Sequence, residues 1–263
     1  MPALHLPRLL ACSLLLAAAC TSAQPPALRL AFTELEPWMT QRGADHGGAY
    51  TEIVRELARR IGQPLQFIDC PLKRCLKLLE VGEADIGIGL RQTPERQQYL
   101  HYLTTPYRRT SADRVFLLRR SDRRRLERYE DLAGLRIGVT AGSEYFTRFN
   151  EDTALLKDVA PSSESSLRKL TLGRVDTVIL PEDQALALLA QLGLQQQVSF
   201  AKLRVPEPTP RAIAVSRRSP QLARLVAMDQ AMRGMRDDGT LVAIYNRHYN
   251  QIYQVTQQRL RID

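Results

Sequence analysis

The chain has 263 residues, of which 44% are hydrophobic, 25% charged and 6% aromatic. This length and composition suit one large or two modest globular domains and exclude collagen-like and low-complexity classes. The formal net charge is +9, from 37 basic and 28 acidic residues. The densest basic cluster, at 119–128, lacks the interleaved aromatic residues and the recognisable module of a nucleic-acid-binding protein. We therefore expect no nucleic-acid partner.

The N-terminal segment has the features of a bacterial export signal. An apolar run at 9–19 is long enough for a signal-peptide core but too short to span a bilayer. Cleavage after Ala23 would release a soluble protein, whereas cleavage before Cys20 would leave a cysteine for lipid attachment, because the preceding residues resemble a lipobox. The sequence thus predicts a periplasmic protein with a signal peptide at 1–23, or at 1–19 with a lipidated Cys20.

Two cysteines, Cys70 and Cys75, remain beyond this leader. In an oxidising compartment, two cysteines five residues apart most simply form one disulfide. A metal site and a redox-active pair are the alternatives, but the histidines show no metal-ligand spacing. We predict a structural disulfide, no metal and no cofactor.

The first part of the chain alternates strand and helix patterns. Strands are predicted at 28–32, 65–68 and 84–89, and apolar residues at helical spacing predict helices at 50–61 and 72–81. This βαβα order predicts a mainly parallel sheet with helices on both faces.

The same alternation restarts after residue 113. Two α/β lobes joined by two crossings explain this restart better than one continuous sheet. In this second part the predicted strands are at 114–118, 135–139, 175–180 and 212–215, and the predicted helices follow 140–143 and lie at 182–192, 220–236 and 240–249.

Several short motifs, each weak alone, occur in an informative order and spacing. With them the sequence resembles the family 3 extracellular solute-binding proteins, the periplasmic receptors for polar amino acids, over about residues 27–250. The motifs are GEADI at 82–86 with TPER at 93–96, LAGLRIGV at 132–139, GRVD at 173–176 and DGTLVAIY at 238–245.

The resemblance implies a two-lobed α/β fold of the type II periplasmic binding proteins. Each lobe would be a mainly parallel sheet flanked by helices, with a two-crossing hinge between them. Lobe 1 would comprise 27–112 and 206–263, and lobe 2 would comprise 113–205. A small carboxylate-bearing ligand, an amino acid or a related acid, would be buried in the cleft by hinge closure. We expect a monomer that serves an ABC permease or a membrane sensor.

The resemblance also assigns roles to individual residues. Arg96 matches the arginine that binds the ligand carboxylate, and a planar guanidinium suits a bidentate contact. Gly142 and Ser143 follow a strand, where free backbone N–H groups before a helix would favour an anion. For Arg96 the alternative is a surface ion pair, and for Ser143 it is a helix N-cap. Trp38 matches an aromatic wall of the site, with a tryptophan of the core as the alternative. The complete predicted site is Trp38, Leu72, Arg91, Arg96, Thr140, Gly142, Ser143 and Glu182.

Two departures from the family pattern bear on ligand identity. Arg91 replaces a hydroxyl residue, and Pro181 replaces the aspartate that pairs with the ligand ammonium in amino-acid receptors. A buried ammonium without a carboxylate is costly. Either an acid such as Glu182 or Glu36 takes this role, or the ligand is not a standard α-amino acid. Arg91 near Arg96 favours a ligand with extra negative charge, such as a dicarboxylate.

An enzyme on the same scaffold is the alternative function, because the resemblance extends to periplasmic cyclohexadienyl dehydratases. In those enzymes a cleft carboxylate helps to expel water and carbon dioxide, and Glu182 or Glu36 would be the candidate acid. The sequence shows no Ser-His-Asp order, phosphate-binding glycine loop or HExxH motif. We expect a binding protein without catalytic residues.

Overall fold

The computed structural model describes residues 26–248. The predicted signal peptide, Cys20 and the end of the last predicted helix lie outside these residues. Within them, no helix combines the length and the apolar character needed to cross a membrane.

The described chain forms twelve strands and eight α-helices. The strands are β1 Leu28–Phe32, β2 Thr40–Arg42, β3 Asp45–Gly47, β4 Leu65–Asp69, β5 Ile86–Gly87, β6 Leu100–Tyr102, β7 Arg114–Arg119, β8 Arg136–Thr140, β9 Leu156–Ala160, β10 Thr177–Pro181, β11 Val198–Val205 and β12 Ala214–Ser216. The helices are α1 Ala49–Arg60, α2 Leu72–Val81, α3 Pro94–Gln97, α4 Thr147–Glu151, α5 Ser163–Thr171, α6 Glu182–Gln191, α7 Leu225–Asp237 and α8 Thr240–Tyr245, with 3₁₀ turns at Tyr129–Leu132 and Pro220–Arg224.

Ten of the strands form two five-stranded sheets of the same design. One sheet has the order β4-β1-β5-β12-β6 and the other β9-β8-β10-β7-β11. In each sheet four strands run in one direction, and the strand that enters from the other sheet, β12 or β7, runs antiparallel to its neighbours. This confirms the predicted two-lobed, mainly parallel α/β class. We keep the predicted names, lobe 1 for the β1 sheet and lobe 2 for the β8 sheet.

Each sheet is covered by helices on both faces. In β1, Leu30 packs with Ile53 of α1 and Met232 of α7, while the next residue, Ala31, packs on the opposite face with Leu79 of α2. This alternation follows from the two-residue period of a strand. Lobe 2 likewise has one core cluster with α5 and α6 and another with α4.

The disulfide prediction is confirmed. Cys70 and Cys75 are joined, with their Cα atoms 5.4 Å apart, between the end of β4 and the first turn of α2. The bridge fixes the start of α2, where Leu72 is the first helical residue.

The two segments that connect the lobes run side by side. The first crossing is residues 103–113, between β6 and β7, and the second crossing is residues 206–213, between β11 and β12. Tyr107 donates its backbone N–H to the carbonyl oxygen of Arg211 at 2.9 Å, and Arg211 donates to the carbonyl of Arg108 at 2.8 Å. Ser111 donates to the carbonyl of Glu207 at 3.1 Å. The hinge is therefore a hydrogen-bonded pair of crossings.

Some elements differ from the sequence-based predictions. Strands β9 and β11 were not predicted, because polar residues interrupt their apolar ones and neither carries a continuous apolar run. The helix predicted directly after Ser143 begins only at Thr147. The single helix predicted at 220–236 starts as a 3₁₀ turn before α7.

Candidate functional site

A cavity of about 190 Å³ lies between the two lobes. Its lining comes from the loops that follow β1 and β5 in lobe 1, from the loops that follow β8, β9 and β10 in lobe 2, and from both crossings. Ligand sites of open α/β sheets lie at the carboxyl ends of parallel strands, as here. The cavity is smaller than the roughly 300–1,000 Å³ of pockets for drug-sized ligands, so it suits a small metabolite.

The structure brings most of the predicted site residues together in this one cavity. Residues from both lobes and from the start of α2 contribute. Those that line it are Trp38, Leu72, Arg91, Arg96, Thr140, Gly142 and Ser143.

Glu182 is the predicted residue that does not line the cavity. It is the first residue of α6, and its carboxylate pairs with the guanidinium of Arg204 on β11. The next residue, Asp183, lines the cavity instead and is buried. The start of α6 directs Glu182 towards Arg204 and Asp183 towards the cavity.

Arg96 is buried where the two lobes meet. Thr93 caps α3 by accepting the backbone N–H of Arg96 at 3.2 Å, and Pro94 occupies the first helical turn, which positions the side chain. Its guanidinium donates from Nη1 to the carbonyl of Arg91 at 3.0 Å and from Nη2 to the carbonyl of Gly142, across the cleft, at 2.9 Å. Arg96 has no ion pair among the described residues, so the surface ion-pair alternative does not describe it.

Gly142 brings lobe 2 close to α2. Its φ of 77° lies in the left-handed region that favours glycine. A Cβ at this position would lie 3.5 Å from both Leu72 Cγ and the Lys73 backbone nitrogen. Lobe 2 therefore meets lobe 1 at the helix start that the disulfide holds.

The backbone around Ser143 differs from the prediction. Its N–H donates to the carbonyl of Thr140 at 3.0 Å and closes a turn, so this amide is already used. Ser143 is also not an N-cap, because α4 begins four residues later, at Thr147. The start of α5 also lines the cavity; there Ser162 accepts the N–H of Ser165, and the Ser163 hydroxyl lies 3.0 Å from Thr140 Oγ1.

This α5 start was missed by the sequence analysis. A signal was present, because Ser162 is a preferred N-cap residue and precedes Leu167 and Leu170 at helical spacing. An α5 N-terminus favours negative charge in the cavity through its backbone dipoles.

Arg91 does not stand free beside Arg96. Its Nη1 pairs with the buried carboxylate of Glu207 from the second crossing. This partner, 116 residues away along the chain, offsets the charge of Arg91, so Arg91 offers a ligand less positive charge than its sequence position predicts.

Other buried polar residues line the cavity and were not predicted. Arg108 Nη1 donates to Asp183 Oδ2 at 2.7 Å, and both side chains are almost fully buried. Arg114, which follows the first crossing as the first residue of β7, and Arg211 of the second crossing are also buried in the lining. Neither lies in a motif, and only the folding of the crossings brings them together.

Aromatic residues form one wall. The Trp38 ring stacks on Tyr50 of α1 with centroids 5.5 Å apart and planes 8° apart. Burial raises the pKa of Tyr50, so its hydroxyl stays neutral. The wall combines an apolar face with a hydroxyl group.

Two α/β lobes with a ligand-sized cavity between them form the architecture of the periplasmic binding proteins. Residues 28–251 match the bacterial extracellular solute-binding proteins, family 3. The chain belongs to this family and has a solute-binding fold, as the sequence analysis predicted.

Solved structures with the same fold include both transport and signalling proteins. An ancestral arginine-binding protein bound to arginine is 22% identical, with a TM-score of 0.75, and the alignment covers 86% of this chain and 100% of that one. The substrate-binding protein of an amino acid ABC transporter is 16% identical (TM-score 0.70; 86% and 100% covered). A histidine kinase sensor domain with similarity to periplasmic binding proteins is 16% identical (TM-score 0.72; 84% and 94% covered). No curated protein sequence matches the chain.

Proposed function

We propose that this protein is a periplasmic solute-binding protein that captures a small carboxylate-bearing metabolite, an amino acid or a related acid. The observation that carries the proposal is the position of Arg96, a buried guanidinium that lines the interlobe cavity, donates to two backbone carbonyls and has no ion pair among the described residues. A carboxylate can displace one of these carbonyls and form a stronger, charge-assisted pair. The ligand would thereby link the lobes through the same side chain.

Delivery of the ligand to an ABC permease or to a membrane sensor completes the proposal. Family membership supports capture of a solute, and the similar structures include an ABC transporter receptor and a histidine kinase sensor domain. Both uses need the same event, closure of two lobes around a small molecule.

A dehydratase-like enzyme is less well supported by the carboxylates of the site. An acid catalyst must be able to exchange a proton with the substrate. Glu182 is held by Arg204 outside the cavity, and Asp183 is held by Arg108. Glu36 lines the cavity, so it is the residue to replace if purified protein turns over prephenate.

Replacement of Arg96 tests the binding proposal. Small carboxylic acids are screened by thermal shift, where a ligand at 100 times its Kd stabilises the protein by about 2.7 kcal/mol. We expect Arg96→Ala to abolish these shifts, because it removes the cation that pairs with the ligand carboxylate. The unliganded Tm should fall by only about 2–4 °C, the effect of roughly 1 kcal/mol in a protein of this size.

Arg204→Ala is the matched control, because this arginine lies outside the cavity lining. It should leave the ligand-induced shifts unchanged. Equal shifts in the native protein and in Arg96→Ala would contradict the proposed role of Arg96. Mass spectrometry of small molecules that co-purify with the native protein provides the ligand independently.

A further inference from the structure

The interlobe cavity holds more buried positive charge than buried negative charge. Four arginines of its lining are at most 8% exposed, and a fifth, Arg91, is paired at its edge. The buried carboxylates that reach these groups are Asp183 and Glu207. The buried arginines are Arg96, Arg108, Arg114 and Arg211.

Two of the arginines have their own carboxylate. Arg108 donates to Asp183 at 2.7 Å, and Arg91 pairs with Glu207. These ion pairs are internal to the protein, so they add little net attraction for a ligand.

Arg114 and Arg211 are not neutralised in this way. The carboxylate that pairs with Arg114 is that of Glu207, 3.7 Å from Nη2 and already paired with Arg91. The Nε of Arg114 is buried without a hydrogen-bond partner. Arg211 donates from Nε to the Ser111 hydroxyl at 2.5 Å, and no ion pair involves it among residues 26–248.

Burial and the neighbouring charge of Arg211 lower the pKa of Arg114 to about 10. The group still carries its proton at neutral pH, so two mutually repelling cations face the cavity. Buried cations without counter-charge are costly, and an anion placed between them would relieve both the repulsion and the unsatisfied N–H.

The remaining acids of the lining do not supply this counter-charge, since they are half-buried or exposed and solvent weakens their fields. Some also have other partners, such as Arg168 for Glu164 and Asn150 for Glu144. These lining acids are Glu34, Glu36, Glu144 and Glu164.

We propose that Arg114 and Arg211 form a second anion subsite in this cavity, and that the ligand is therefore a small dicarboxylate. This inference rests on the proposed function, because one carboxylate occupies the Arg96 subsite and the other occupies the subsite beside the crossings. Asp183 is the buried carboxylate among the described residues of the lining, and Arg108 already holds it, so an ammonium group would find no uncommitted buried carboxylate there. A dicarboxylate without an α-ammonium group matches this charge distribution.

The test compares α,ω-dicarboxylates of four to eight carbons with their monoamides by isothermal titration. Each monoamide keeps the length and one carboxylate but lacks the second charge. We expect at least one diacid to bind the native protein tenfold or more tightly than its monoamide. Glutamate and glutamine have the skeletons of the five-carbon diacid and its monoamide with an added α-ammonium group. Comparison of the two pairs therefore measures the effect of the ammonium group.

Arg211→Gln then tests whether the preference for diacids over monoamides comes from the subsite of Arg114 and Arg211. It should weaken diacid binding tenfold or more and leave monoamide binding within a factor of about two, whereas Arg96→Gln should weaken both. Arg211→Lys, which retains the charge, should keep part of the preference. Arg204→Gln, outside the cavity, should match the native protein.

The outcomes separate this inference from the proposed function. Equal binding of diacids and monoamides, or equal weakening of both by Arg211→Gln, overturns the second subsite and leaves the proposed function intact. Binding of no acid with either one or two carboxylates overturns the proposed function and this inference with it.

Discussion

Both lobes contain the same four-residue pattern, Gly-x-x-Asp, between a helix and the strand that follows it, but its surroundings differ. In lobe 1, Asp85 accepts hydrogen bonds from the backbone N–H and the Nε of Arg29, at 2.8 and 3.0 Å. Arg29 Nη2 also donates to the carbonyl of Gly82 at 2.8 Å. One arginine thus ties the first strand to the helix end and to the third parallel strand.

Lobe 2 repeats this arrangement. Asp176 accepts from the backbone N–H of Arg136 at 2.8 Å and from its Nε at 3.3 Å. Arg136 Nη2 donates to the carbonyl of Gly173 at 3.0 Å. In both lobes, therefore, an arginine of one parallel strand hydrogen-bonds to the aspartate that precedes the neighbouring strand.

The difference between them is burial. The side chain of Asp85 is 2% exposed and that of Asp176 is 18% exposed, and only Asp85 also accepts from Ser219, at 2.6 Å. Burial alone would raise the pKa of each carboxyl, but the hydrogen bonds and the arginine charge outweigh it, so both pKa values are lowered. The same motif is therefore expected to contribute more to stability where it is buried than where solvent reaches it.

Asp85→Ala should have the largest effect on stability. It leaves the Arg29 backbone N–H, the Ser219 hydroxyl and part of a guanidinium without their acceptor in the core of lobe 1. We expect a loss of about 3 kcal/mol in the free energy of unfolding, as for breaking a buried pair. Urea-induced unfolding measures this loss. A loss below about 1 kcal/mol would show that burial does not determine how much the motif contributes to the free energy of unfolding.

Removal of the disulfide should have an intermediate effect. In the described chain it lies in lobe 1 and has no counterpart in lobe 2. Cys70→Ser with Cys75→Ser should cost about 2 kcal/mol, because the reduced chain gains the entropy of a short open loop. Native protein unfolded with reductant is the control and should match the double variant; a large difference between them would point to strain from the serines.

Asp176→Ala should have the smallest effect, below about 1 kcal/mol, because solvent reaches the Arg136 pair and can replace the lost hydrogen bonds. The same unfolding measurement applies. A loss equal to that of Asp85→Ala would make the motif itself, rather than its burial, the source of stability.

Much of the fold was predictable because local patterns encode it. The strand at β1 and the helix α2 were predicted with the bounds that the structure has, since apolar residues recur there at the right period and Gly82 ends the helix. Strand β9 was not predictable, because Lys157 and Asp158 interrupt its apolar residues at the sheet edge.

The candidate site was predictable only in part. Arg96 and Gly142 stand out because motifs and a glycine mark them, and both line the cavity. Arg114 and Arg211 follow no pattern, since they are about a hundred residues apart and meet only through the paired crossings.

The sequence by itself determined the class of fold, the disulfide and the family, because each depends on residue types at short, regular spacing. The tertiary structure decided which acids and arginines neutralise each other. Pairings such as Arg91 with Glu207 and Arg108 with Asp183 join distant segments, and Coulomb energy depends on distance and burial, which the order of residues does not specify.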